Sequence, residues 1–235
     1  MLLDNPSALR DQYSQALFDD VMPFWLRHSL DPEYGGYLTC LQRDGAVYDG
    51  MKNVWLQGRQ VWMLSKLHNC EGARPGYLEA AASGARFLRE HGRGENGDWF
   101  LALDRRGEPI DGARDFFSGC FAALGLGEYS SASGETWAAE LAVRTFAHAE
   151  QAARTGRIPL NELAPEDSSL LSLSVPMILI NLATELGEAV PGCGVTPTLR
   201  RALELVMTKF VDRWAGLVYE RVSPDGSHPD TPTAG

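Results

Sequence analysis

Along the stretch from Lys52 to Leu67, Trp55, Arg59 and Trp62 recur at i, i+4 and i+7, while Val54, Val61, Leu64 and Leu67 fill most of the remaining circumference. That period predicts a helix, and a helix apolar nearly all round belongs in a core. Arg59, Gln57 and Gln60 ride on the same helix. A guanidinium stranded in a core costs several kcal/mol, so two outcomes are open. Either a neighbouring carboxylate pairs with Arg59, or the polar side chains line a site for a small polar ligand.

The pattern then alternates along the chain. A first helix is expected over about 7–28, with a kink at Pro23. Others follow over about 77–90, 115–130 and 135–153. A sixth lies after a polar loop at 161–169 and ends near 188, and a seventh runs from Pro197 to about 212. Helices one, three, five and seven are amphipathic, whereas two, four and six are nearly all apolar. Short apolar runs around Asp44-Gly45, Arg106-Gly107 and Asp225-Gly226 read as β-hairpins. Their glycines lie at 45, 107 and 226, so the second interval is close to twice the first, and the polar loop near Asp167 fills the vacant place. One unit is therefore a helix pair plus a loop or hairpin, of about 60 residues. Inner apolar helices ringed by outer amphipathic ones predict an all-α fold, an α/α toroid. Six units need about 360 residues, so 1–235 forms a single domain that is a little over half of such a ring.

Composition narrows the partners. A content of 44% hydrophobic and 22% charged residues is ordinary globular usage, and a net charge of −10 without any basic run argues against nucleic acid. The longest apolar run, Val175 to Leu182, holds Pro176 and Asn181 and is too short for a bilayer, so no membrane association is expected. The opening MLLDNPSALRDQYSQ has neither a basic nor an apolar leader region. Cys40, Cys70, Cys120 and Cys193 form no CxxC pair, which favours reduced, buried thiols, no metal site and a cytoplasmic location. No cofactor is expected.

The polar residues of the inner helices concentrate near their starts: Lys52, Asn53, Gln57 and Arg59 on the second, Asp115 on the fourth, Ser172 and Ser174 with the Pro176-Met177 step on the sixth. In a ring these starts converge on one mouth, where free N–H groups and positive dipole ends meet. Lined with Trp55 and Phe117, such a mouth suits a neutral polyhydroxylated ligand, a sugar. Trp62 and Phe121 read more simply as core. A glycoside hydrolase would need paired carboxylates there, and only Asp115 is a candidate.

These residues also carry a resemblance. Phe24-Trp25-Leu26-Arg27-His28-Ser29 with Tyr34-Gly35-Gly36-Tyr37-Leu38-Thr39-Cys40-Leu41, and above all Val54-Trp55-Leu56-Gln57-Gly58-Arg59-Gln60-Val61-Trp62-Met63, are similar to the N-terminal portion of the N-acylglucosamine 2-epimerase (renin-binding protein) family. Phe117-Ser118-x-Cys120-Phe121, Val175-Pro176-Met177 and Tyr219-Glu220-Arg221-Val222-Ser223 extend the likeness over the whole chain. The resemblance implies an (α/α)6 barrel that interconverts N-acetylglucosamine and N-acetylmannosamine by moving the proton on C2. It implies Arg59 as the stabiliser of the enediolate-like oxyanion, and Trp55, Gln57, Phe117 and Met177 beside it as substrate-binding residues. A homodimer is a further possibility.

The likeness has a gap. The family's two catalytic histidines sit in Asn-Pro-Gly-His and Cys-Phe-His motifs, and this sequence contains neither. Its histidines, His28, His68, His91, His148 and His228, read as helix-end or surface residues. Gly119 stands where the family motif usually has glutamate. The chain is therefore expected to be an inactive portion of an epimerase; the alternative is a non-catalytic half-barrel that binds carbohydrate or another protein. Leu170, Leu171, Leu173, Ile178, Ile180, Leu203, Val206 and Phe210 keep the last helices apolar, against the polar edge a self-standing half-barrel requires.

Overall fold

A computed structural model describes residues 5–72, 74–158 and 170–227. The polar loop at 161–169, His228 and the final residues lie outside the described residues. The helices are α1 (Pro6–Gln15), α2 (Met22–His28), α3 (Val54–Glu71), α4 (Tyr77–His91), α5 (Phe116–Ser133), α6 (Thr136–Thr155), α7 (Ser174–Ala189) and α8 (Thr196–Leu205). A π-helical stretch, Ala16–Val21, joins α1 to α2 into one rod, so the described residues form seven rods. Pro23 has no N–H for the carbonyl a turn earlier, and the wide turn just before it accommodates the loss. A second π stretch, Val206–Phe210, follows α8 and gives way to a strand at Val211, so the last helix stops short of the expected 212.

Local chemistry sets the helix starts. The Asn53 side chain accepts a hydrogen bond from the Trp55 N–H (3.2 Å), and Asp115 accepts from the Ser118 N–H (2.7 Å), each capping an inner helix. Pro197 occupies the first turn of α8. The packing follows the expected alternation: α5 lies between α3 and α7 in an inner layer, while α4, α6 and α8 pack outside them.

Two glycines set the spacing of the inner layer. A Cβ on Gly58 would lie 2.5 Å from the Phe121 carbonyl carbon, and one on Gly125 would lie 2.4 Å from the Gly58 carbonyl oxygen. Here α3 and α5 meet backbone to backbone, which no side chain permits. Gly58→Ala is therefore expected to force the two helices apart and destabilise the fold by about 1–3 kcal/mol. A thermal midpoint within a degree of the parent would contradict this close contact.

Strand pairing repeats with the helices. Strands β1 (Cys40–Leu41) and β2 (Val47–Asp49) form the expected hairpin around Gly45. The same backbone closure recurs at the other two expected turns, with the Asp104 N–H donating to the Glu108 carbonyl (2.8 Å) around Gly107 and the Ser223 N–H to the Ser227 carbonyl (2.9 Å) around Gly226. Strand β4 (Ala102–Leu103) also reaches back to β3 (Lys52–Asn53), and a Leu103–Pro109 bridge extends the Gly107 hairpin. Strand β5 (Leu171–Ser172) takes β8 (Arg221–Val222), while β6 (Val211–Asp212) and β7 (Leu217–Val218) pair with each other. Lys52 opposes Leu103 and Leu171 opposes Val222, both 51 positions apart. Each pairing ties the start of an inner helix to a loop one unit later.

The turn glycines explain three helix ends. The His28 ring covers Gly45 and stacks on Phe24 (4.9 Å); the His91 ring covers Gly107 and stacks on Phe87 (5.0 Å); the Lys209 stem covers Gly226. A Cβ on Gly45 or Gly107 would lie 2.3 or 2.4 Å from the imidazole. These histidines are packing residues of the repeat. No helix of the described residues is long and apolar enough to cross a membrane.

Candidate functional site

The starts of α3, α5 and α7 face the hollow of the arc. Trp55, 36% exposed in the first turn of α3, meets Phe121 of α5 edge to face at 5.8 Å. The Arg59 guanidinium lies 5.7 Å from the Trp55 ring and 5.3 Å from the Phe121 ring. Cation–π attraction holds it there. Arg59 is exposed, and among the described residues no carboxylate pairs with it. The expectation of a buried Arg59 is thus corrected: a helix apolar all round still shows one face to the hollow of an arc. Phe121, read as core, packs against the core with one side and meets Arg59 with another. Phe117 is half-buried one turn before it, against Phe116 (5.5 Å), and Met177 is exposed in the first turn of α7. The structure joins Trp55, Arg59 and Phe121 in one cluster and sets Phe117 and Met177 on the neighbouring helix starts.

Gln57 does not belong to this cluster. It is fully buried, its Nε2 donating to the Tyr37 carbonyl and its Oε1 accepting from the Tyr37 N–H, both at 2.8 Å. Both ends of the amide are spent on the backbone behind α3, so its assignment to substrate binding is corrected. Asp115, buried and committed as the α5 cap, offers no hydrolase carboxylate.

Lys52 is likewise turned away from the mouth. Its ammonium is wholly buried, donating to Asp31 Oδ2 (3.0 Å), the Gly35 carbonyl (2.6 Å) and the Arg105 carbonyl (2.8 Å), over the Phe87 ring at 4.3 Å. Asp31 also accepts a two-pronged contact from Arg105 and the N–H groups of Glu33 and Tyr34. Burial raises the Asp31 pKa, but the Arg105 and Lys52 hydrogen bonds outweigh it and hold the carboxyl at about 2, against an ordinary 3.8. A carboxyl depressed in the folded state contributes stability that is fully present above the unfolded value and lost as pH falls through the folded one. Acidification from pH 4 to 2 should therefore remove about 2 kcal/mol. Urea midpoints followed by circular dichroism across that window check it, and Asp31→Asn should flatten the slope.

Farther along the hollow, polar groups tie the inner helices together. Trp62 Nε1 donates to Glu185 (3.3 Å), Lys66 bridges Glu185 (3.2 Å) and Glu128 (3.4 Å), and Asn69 donates to Glu128 (2.6 Å). Burial works against the Lys66 ammonium, yet the two carboxylates raise its pKa above the ordinary value. His148 and Asp98 lie 2.7 Å apart beside Trp99, Gly119 and Thr145. Gly119 stands about half a turn round α5 from Phe117 and Phe121, so this pair is behind the inner layer. His68 is half a turn round α3 from Arg59. None of the four described histidines therefore joins the Arg59 cluster. Among the described residues no three His, Cys, Asp or Glu side chains gather as a metal site.

Residues 36–233 match the family described as N-acylglucosamine 2-epimerase (GlcNAc 2-epimerase). The chain is 35% identical over 229 residues to N-acylglucosamine 2-epimerase of Bos taurus, covering 93% of this chain and 53% of the bovine protein. It is 40% identical over 192 residues to the Homo sapiens enzyme, covering 77% and 44%. In structure it is similar to cellobiose 2-epimerase from Spirochaeta thermophila, with a TM-score of 0.81 at 21% identity over 94% of this chain and 58% of that one. A sugar epimerase from a ruminal bacterium gives a TM-score of 0.81 at 22% identity over 93% and 60%. These neighbours are of the (α/α)6 barrel type, so the arc is part of that fold. The chain spans about half the length of the curated relatives it matches.

Proposed function

The chain belongs to the N-acylglucosamine 2-epimerase family, and from that premise we propose that it forms the oxyanion-holding part of a sugar 2-epimerase acting on N-acetylglucosamine and N-acetylmannosamine. One observation carries the reading: an exposed guanidinium with no acidic partner among the described residues, held over two aromatic rings between the inner helices α3 and α5. Epimerisation at C2 opens the sugar to its aldehyde, removes the C2 proton and leaves an enediolate-like anion that is reprotonated on the other face. Arg59 meets the developing charge on O1, while Trp55 and Phe121 cover C–H surfaces of the sugar. Two proton-transferring groups, one per face, complete the chemistry. With no described histidine beside Arg59, they come from polypeptide equivalent to the remaining half of the relatives.

Deuterium uptake tests this. The 235-residue chain alone is expected to bind N-acetylmannosamine, seen as a fluorescence change missing in Trp55→Phe, without moving deuterium from solvent into C2. A barrel completed with the other half should exchange it. Preference of the completed barrel for cellobiose would overturn the substrate, and exchange of neither sugar would overturn the reaction.

A further inference from the structure

A cavity lies away from the Arg59 cluster. It measures about 300 Å³, the lower end of the range for small-molecule sites, and opens between the 31–36 loop and the last two turns of α4. We propose that it binds a small hydroxylated oxyanion, a sugar acid or sugar phosphate, on Arg86. The proposal stands independently of the catalytic reading.

The floor cannot be the ligand-binding part. Asp31 already accepts five hydrogen bonds, from Lys52, Arg105 and two backbone N–H groups, which leaves its carboxylate saturated. A cation therefore finds no free acceptor there. The rim is different. Arg86 makes no ion pair among the described residues, even though Glu90 stands one turn along the same helix; Glu90 has the His91 ring beside it at 3.9 Å. Arginine four residues before glutamate is the weaker order for a helical pair, which leaves both groups open to a ligand. Ser83 Oγ accepts from the Gly36 N–H (3.2 Å) and keeps its own proton to give. The Tyr34 hydroxyl is also committed to no described residue.

The wall thus offers three side-chain donors, Arg86, Ser83 and Tyr34, and, beyond the saturated Asp31, one carboxylate, Glu90. A ligand that satisfies it must present more acceptors than donors, with its negative charge on the guanidinium. An oxyanion takes Arg86 two-pronged and the Ser83 O–H beside it; a ligand hydroxyl gives its proton to Glu90. Neutral sugars leave the guanidinium without a counter-charge, and bare anions leave Glu90 without a donor.

Titration calorimetry of the chain with gluconate, glucose 6-phosphate and glucose tests the site. At least one of the two anions should bind at millimolar concentration or below, more weakly as salt is added, and the tighter one identifies carboxylate or phosphate as the preferred group. Arg86→Ala, an exposed change that leaves folding intact, should weaken binding at least about tenfold, whereas Arg59→Met should leave it unchanged. Three results would overturn the proposal: equal binding of glucose, full binding by Arg86→Ala, or no binding of either anion. Loss of binding in Arg59→Met instead would place the ligand in the hollow and overturn it as well.

Discussion

Asp31→Asn should lower the stability of the fold by about 3–5 kcal/mol. The carboxylate is wholly buried, and the Lys52 ammonium that depends on it is also fully shielded from water. Asparagine keeps the size but turns one amide N–H₂ toward a lysine and an arginine, so a buried charge loses its counter-ion. For a chain of this length the thermal midpoint should fall by roughly 6–20 °C. Lys52→Met at the same time should recover much of the loss, because the uncompensated charge goes with it. A drop under about 1 kcal/mol for Asp31→Asn alone would mean that water or another group supports Lys52.

Arg59→Met should do the reverse: turnover collapses and the fold stands. Removing a preorganised donor at a developing oxyanion costs about 2.7–4 kcal/mol of barrier, or roughly a hundredfold to a thousandfold in kcat. Arg59 is exposed and no carboxylate of the described residues depends on it, so the structural loss is confined to two aromatic contacts of about 0.5–1 kcal/mol each. The measurement is kcat for deuterium exchange at C2 in the completed barrel, set beside the melting temperature of the same variant. Normal turnover with a lowered melting temperature would make Arg59 a packing residue.

Much of this was legible because the repeat is written in local chemistry. Asn53 and Asp115 announce helix starts, Pro197 marks a first turn, and the turn glycines at 45, 107 and 226 set the period. The alternation of apolar and amphipathic helices separated inner from outer layers, as the packing of α3, α5 and α7 bears out. Gln57 was misjudged although the signal was present: two residues from Trp55 on a helix is more than half a turn, so the amide and the indole face opposite ways. Pairing of β3 with β4 was beyond a local reading, since the partner lies a whole unit away. The burial of Lys52 depends on the same long-range fit, where the loops at Asp31 and Arg105 close over it. The histidines could have been placed from sequence, since His28, His91 and Lys209 precede their turn glycines by nearly the same distance.

The 51-residue reach of the strand pairings sets a timetable for synthesis. When Leu171 leaves the ribosome its partner Val222 has not been made, and at about 5–20 residues per second it follows several seconds later. Helix formation takes on the order of a microsecond, so α7 is wound long before its leading edge can be sealed. Each unit therefore spends seconds with its entrance unlatched, waiting for the next to be translated. Stalled nascent chains ending just before and well after Val222 should differ in protease cutting near Ser172 and scarcely at all near Asn53, whose partner Ala102 has already emerged. The rim of the barrel is the last part of each unit to set.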